Sequence, residues 1–235
     1  MTVKAAMKDR PQEAEPAIMA ELEQMLKKGV FHGVNARDLS QIERKATLRS
    51  SMFLKDKYLA SGVFDKFKAR LVGGGDMQDH HSYENLSSPT AATRHVFSVA
   101  AIAAHEGRKC ATIDIGGAFL NADIHTGIKV HVRLDAALAR LLALLDNSYA
   151  EFMETDGTLT VQLDKALYGC IESAALWYHD RVSKLSMLGF TANPYDLCVF
   201  NKLENDELQT TIMLHVDDMF VTSMKQAHIQ HSTNN

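Results

Sequence analysis

In the stretch "EPAIMAELEQMLKKGVF" the apolar residues Ile18, Met19, Leu22, Met25 and Leu26 recur at helical spacing, and Lys27, Lys28 and Gly29 supply a stop. The pattern then shortens. "MFLKDKYLASGVFDKFKARLVGGG" holds two apolar-rich runs joined through a glycine-containing link and closed by three glycines, which predicts a long hairpin. "TRHVFSVAAIAAHEG" predicts a buried helix ending at Gly107, and "KCATIDIGGAFL" a strand leading into a turn and a second helix. A helix over "DAALARLLALLDN" and a short strand over "TLTVQLD" follow. Leu176, Trp177, Val182, Leu185 and Leu188 share a helical period that stops at Gly189, and their spacing assigns Trp177 and Tyr178 to core packing. "LCVFNKLENDELQTTIMLHV" reads as two strands around the polar turn "ENDE". The polar ends read as a flexible leader, 1–15, and a frayed tail, 226–235. The order strand, helix, strand, strand between residues 110 and 223 predicts an α+β domain, an antiparallel sheet with helices packed on one face.

The chain has 235 residues, enough for one large domain or two small ones. Its longest apolar stretches, such as "HVFSVAAIAAH", are too short to span a bilayer, so no membrane role is expected. The first residues lack the apolar core and cleavage site of a secretion signal. Cys110, Cys170 and Cys198 form no C-x-x-C pair, which favours a reducing, intracellular setting. His80, His81, His228 and His231 lack cysteines or acids at zinc spacing. The glycines at 73–75 are not followed by the Gly-Lys-Ser/Thr of a phosphate-binding loop. Net charge is −4, but residues 44–70 carry eight basic side chains against two acids, a net of +6 that leaves −10 for the remainder. Such an asymmetry fits either a phosphate-facing surface or a solvated lysine-rich face.

"LHVDDMF" interrupts an apolar run with Asp217 and Asp218. A two-residue hairpin turn prefers Asn-Gly or Asp-Gly, because its central residues need positive φ, and two adjacent acids also repel. A divalent cation resolves that repulsion, since magnesium binds carboxylate oxygens while leaving positions open for phosphate. In "TIDIGGAFL", Asp114 ends a second β-prone stretch, so three carboxylates can converge and hold two ions of the kind that clamp an in-line phosphoryl displacement. The small residues Gly116, Gly117 and Ala118 let a triphosphate approach backbone amides, with Phe119 beside the sugar.

The segments "KFKARLVGGG", "TIDIGGAFLNADI", "LDKALYGCIESAALWY", "LGFTANPYDLCVF" and "LHVDDMFVTS" stand in the order and spacing of the reverse transcriptase of copia-type retrotransposons, and the resemblance spans roughly residues 15–225. It implies a right-hand polymerase with a fingers-like segment at 16–95 and a palm-like catalytic segment at 96–225. Asp114, Asp217 and Asp218 resemble the family's metal-binding catalytic aspartates, with Mg2+ (or Mn2+) as cofactor. Lys68 and Arg70 match a basic pair of the fingers. With Ile115, Gly116, Gly117, Phe119 and Glu172 they form the implied nucleotide-binding set, Phe119 resembling the gate that rejects a ribose 2′-hydroxyl. His215 falls on the primer side.

The implied partners are an RNA or DNA template with its primer and deoxynucleoside triphosphates. The thumb and ribonuclease H parts of a longer polyprotein are expected to lie outside this sequence. The implied location is the cytoplasm, or a virus-like particle for an active element. The sequence departs from the family pattern at His215, where tyrosine is usual, and at Glu172, Ala174 and Ala175, which replace glutamine, proline and arginine. Two alternatives to an active polymerase stand beside it. One is a catalytically silent remnant that at most binds nucleic acid, the other a nucleotidyl cyclase on a similar palm.

Overall fold

The computed structural model describes residues 3–83, 86–125 and 127–233. In chain order the described elements begin with α1 (Val3–Asp9), α2 (Pro11–Lys28), β1 (Phe31–Val34), α3 (Gln41–Ala46), β2 (Leu48–Tyr58) and β3 (Phe64–Gly73). Next come α4 (Thr93–His105), β4 (Lys109–Asp114), β5 (His131–Leu134), α5 (Ala136–Leu145) and β6 (Leu159–Leu163). The chain continues with α6 (Ser173–Met187), β7 (Thr191–Asn193), β8 (Asp196–Leu203), β9 (Gln209–His215), β10 (Asp218–Ser223) and α7 (Gln226–Thr233). The protein is a mixed α/β molecule with two five-stranded sheets.

The helices end where local chemistry dictates. Pro11 opens α2, and Gly29 closes it at φ 60° with its N–H donated to the Leu26 carbonyl at 3.0 Å. Asp135 caps α5 by accepting from the Ala137 and Leu138 N–H groups at 2.9 Å.

The chain divides into two compact units, each made of two separate stretches of sequence: residues 1–85 with 119–173, and 86–118 with 174–235. Pairing of β2 with β5, Leu48 against Val132, draws the segment after residue 119 into the first sheet.

The first unit has strand order β1-β6-β5-β2-β3 and a core built from Ile18, Leu22 and Met25 of α2 with Leu48, Leu71, Val132 and Leu138. The predicted hairpin is present as β2 and β3. Its alternation is clean: Met52, Leu54, Phe67, Ala69 and Leu71 are buried, while Phe53, Lys55, Lys57, Lys66, Lys68 and Arg70 are exposed. The expected leader is helical, because Ala6 and Ala14 are small enough to enter the core and Arg10 lies over the Phe64 and Phe67 rings at 4.7 and 4.1 Å.

The second unit has strand order β4-β10-β9-β8-β7, antiparallel throughout. Register puts Val221, Ile212 and Phe200 on one face, and they join a core with Tyr178, Leu185 and Ile229 of α6 and α7. Cys110, Thr112, Asp114 and Asp218 lie on the other face and are exposed. Helix α4 forms as predicted but is not buried. Only Ala103 is enclosed, and Phe97 is 70% exposed. No second helix follows β4, only a short 3-10 turn at Phe119–Asn121. The expected frayed tail forms α7, with Ile229 in the core.

Among the described residues no helix is long and apolar enough to cross a membrane.

Candidate functional site

The β9–β10 hairpin turns through Val216 and Asp217, one residue earlier than the Asp217-Asp218 centre that the sequence suggests. Asp218 is therefore the first residue of β10, paired with His215 on one side and Asp114 on the other. Val216 adopts φ 55°, at the first central position, where a two-residue turn of this kind usually carries glycine. A β-branched residue there is strained, at a cost of about 1–3 kcal/mol. The surroundings hold it in place. The buried Trp177 donates its indole N–H to the Val216 carbonyl at 2.8 Å, and the Ile115 N–H donates to the Asp217 carbonyl at 2.8 Å.

That second bond flanks the Asp114–Asp218 pair and marks it as a non-hydrogen-bonded position, where facing side chains lie closest. Two like charges directly opposite one another weaken a strand pair. Among the described residues neither aspartate, nor Asp217, has a cationic side chain within ion-pair range. Asp114 and Asp218 are both exposed, and His215 beside them is exposed too.

As donors, the carboxylates suit a hard divalent cation. The sequence reading gathers three of them. The structure sets two face to face and leaves the third in the turn. Among the described residues no three His, Cys, Asp or Glu side chains come together as a metal-holding group. Next to Asp114, Ile115 packs at the edge of the core, and Gly116 is exposed, with open space within 4 Å where a Cβ would stand. Gly117 has φ 62°, a conformation that favours glycine.

The remaining predicted residues belong to the first unit. Lys68 faces Lys55 across the β2–β3 hairpin, Lys66 faces Lys57, and Arg70 faces Phe53. An open groove of about 320 Å3 runs over this surface, lined by Phe53, Lys55, Lys57, Lys68, Arg70 and Val72. No acid lines it, and Phe53 is 50% exposed at its floor. The Arg70 guanidinium lies 5.3 Å from the Tyr168 ring, and Tyr168 lies 5.3 Å from Phe119 with the rings tilted by 44°.

Glu172 does not face solvent. It is 3% exposed and accepts from the Gln78 side-chain amide at 2.8 Å through one oxygen, while the other has no partner among the described residues. The same Gln78 donates to the Tyr83 hydroxyl at 2.8 Å and accepts the Ile171 N–H at 2.9 Å. Burial, with the nearby Glu172 charge second, pushes the Tyr83 hydroxyl and the Cys170 thiol each up to about 12. The sequence reading sets Glu172 beside an incoming nucleotide; in the structure its carboxylate is enclosed within the first unit beside Gln78.

Three residues with visible roles escape the sequence reading: Trp177 as anchor of the strained turn, Tyr168 between Arg70 and Phe119, and Gln78 as bridge to Glu172. Tyr168 could have been found as the aromatic of "ALYG". Gln78 gives no local signal, because its partner lies 94 residues away.

The reverse transcriptase (RNA-dependent DNA polymerase) family matches residues 42–234. The chain is also 23% identical over 167 residues, 71% of its length, to the retrovirus-related Pol polyprotein from transposon RE1 of Arabidopsis thaliana. It spans about a tenth of that relative's length. Both findings agree with the copia-type resemblance carried by the five sequence segments. The chain belongs to the reverse transcriptase family.

Proposed function

We propose that this chain is the fingers-and-palm part of a copia-type RNA-directed DNA polymerase, joining a deoxynucleoside triphosphate to a primer 3′-hydroxyl. The observation that carries the reading is Asp114 facing Asp218 with no cationic side chain among the described residues in ion-pair range of either. Asp114 and Asp218 would hold magnesium or manganese with Asp217 alongside, supplying an acidified primer hydroxyl and charge neutralisation at the departing pyrophosphate. The protein's own groups do the rest. Trp177 and Ile115 hold the two turn carbonyls, so the acids are oriented before substrate arrives, and such preorganisation is the main source of electrostatic catalysis. Gly116, with open space where a Cβ would stand, leaves backbone accessible to phosphate. Lys68 and Arg70, with Lys55 and Lys57, offer cationic charge to phosphates and to the template strand. Phe119 excludes a ribose 2′-hydroxyl, and His215 contacts the primer end.

Extension of a labelled primer on poly(rA) at low salt, with magnesium and then manganese, tests this. Metal-dependent extension that vanishes in Asp114→Ala and Asp218→Ala is the expected result.

A second reading, a catalytically silent remnant, is favoured by Glu172, which stands where the family motif has glutamine and turns its carboxylate inward. It predicts no extension by a folded chain, with salt-sensitive binding of single strands retained on the cationic hairpin.

A further inference from the structure

Tyr168 touches both Arg70 and Phe119 within the first unit. Its half-buried ring is 5.3 Å from the Phe119 ring and 5.3 Å from the Arg70 guanidinium. Its backbone has little freedom. The Tyr168 carbonyl accepts the Gly73 N–H at 2.7 Å. The next residue, Gly169, has φ 85°, and a Cβ there would stand 2.4 Å from the Gly73 carbonyl oxygen. A Cβ on Gly75 would in turn stand 2.1 Å from the Gly169 carbonyl oxygen. The glycines at the end of β3 let two backbone segments cross at a distance no side chain permits, and the crossing sets where the Tyr168 ring can lie.

We propose that Tyr168 is a positioning residue for nucleotide selection, its ring coupling the Arg70 guanidinium of the cationic hairpin to the Phe119 gate. The inference rests on the reading of Arg70 as a phosphate contact and Phe119 as the group that excludes a 2′-hydroxyl. Tyr168 touches neither sugar nor phosphate in this role. A guanidinium over one aromatic ring and a second ring tilted against it are each worth about 3- to 10-fold in an equilibrium constant. Removing the ring frees both partners at once, so affinity and sugar discrimination change together. Loss of a residue that only filled space would lower stability and leave the discrimination ratio alone.

The test is calorimetric binding of dATP and of ATP, with magnesium, to the full chain carrying a dideoxy-terminated primer on a template that presents thymine. Tyr168→Leu is expected to weaken dATP binding about 3- to 10-fold and to lower the dATP-to-ATP preference by a similar factor, while Tyr168→Phe keeps both. Arg70→Ala, a change at an exposed residue, is expected to lower the preference as well as the affinity, because it releases the ring. It serves as the second measurement should Tyr168→Leu fail to fold. If Phe119→Ala lowers the preference while Tyr168→Leu or Arg70→Ala leaves it unchanged, the coupling is wrong and the gate stands. If Phe119→Ala has no effect on the preference, the gate reading fails and takes the coupling with it. A wild-type complex that binds neither nucleotide overturns both.

Discussion

The β2–β3 hairpin of the first unit and the β4–β10 pair of the second make the same electrostatic choice with opposite sign. Lys55 faces Lys68 and Lys57 faces Lys66 in one; Asp114 faces Asp218 in the other. Among the described residues none of these six side chains is ion-paired. The two regions differ in how the repulsion can relax. Lysines have long stems that splay apart over the apolar ribbon and keep their ammonium groups in water. Aspartates are short, and at a non-hydrogen-bonded position their carboxylates stay close. The basic face therefore suits an extended polyanion, whereas the acidic pair suits a compact cation. The acidic region also carries strain at Val216, held by Trp177, and the hairpin face has no positive-φ residue other than Gly62 in its connecting loop.

The largest break in this comparison comes from the acidic side. Asp218→Ala is expected to reduce primer extension by on the order of 1000-fold or more, measured in single-nucleotide incorporation with magnesium, since metal-held charge stabilisation is worth several kcal/mol. Trp177→Phe comes next. It removes the donor to the Val216 carbonyl and is expected to cost about 1–2 kcal/mol in urea unfolding, with extension lowered although no carboxylate is touched.

On the basic side, Lys55→Ala and Lys68→Ala are each expected to weaken single-strand binding and to reduce the slope of log affinity against log salt by about 0.7–1. An unchanged slope would remove the hairpin from the nucleic-acid surface. Relief of like-charge pairing is smaller and has the same sign in both regions: Asp114→Asn and Lys68→Gln are each expected to raise stability by about 0.2–1 kcal/mol in the metal-free, nucleic-acid-free protein. A destabilised Asp114→Asn would show that the facing carboxylates are not in conflict.

The smallest effect concerns Glu21, buried on α2 beneath the hairpin. Burial raises its carboxyl above the usual range, an effect opposed by the Leu71 N–H that it accepts at 3.2 Å and then by Arg70 and Lys68. A raised folded value means stability is fullest below the ordinary glutamate range and declines as pH rises through the folded value. Glu21→Gln is therefore expected to raise Tm by about 1 °C at pH 7 and to have no effect below about pH 4, as scanning calorimetry would register.

Much of this could be read from the chain. The two-period alternation of residues 52–57 and 66–71, the helical spacing of residues 18–26 and the position of Asp114 at a strand end all follow from local patterns. Other features could not. The hydrophobicity of "TRHVFSVAAIAAH" predicts burial, yet α4 lies largely exposed, because burial depends on what else the fold presents to a helix. Asp217 and Asp218 look equivalent in sequence. A one-residue difference in where the hairpin turns puts Asp218 in the ladder opposite Asp114 and leaves Asp217 in the turn. Glu172 looks like a charge added near substrate, and only the fold of residues 78–83 around it shows the carboxylate enclosed.

The sequence by itself determined which segments pair locally, where charge of each sign is concentrated, and the family to which the five motif segments point. Within each segment, period and turn chemistry are legible, and the order of the segments along the chain is itself sequence. The tertiary structure decided which separate stretches of chain join in each unit, the meeting of Arg70, Tyr168 and Phe119, the crossing of Gly75 with Gly169, and the pairing of Asp114 with Asp218. Each joins residues dozens of positions or more apart. Such contacts depend on register and on the mutual packing of whole elements, which no local window of sequence encodes.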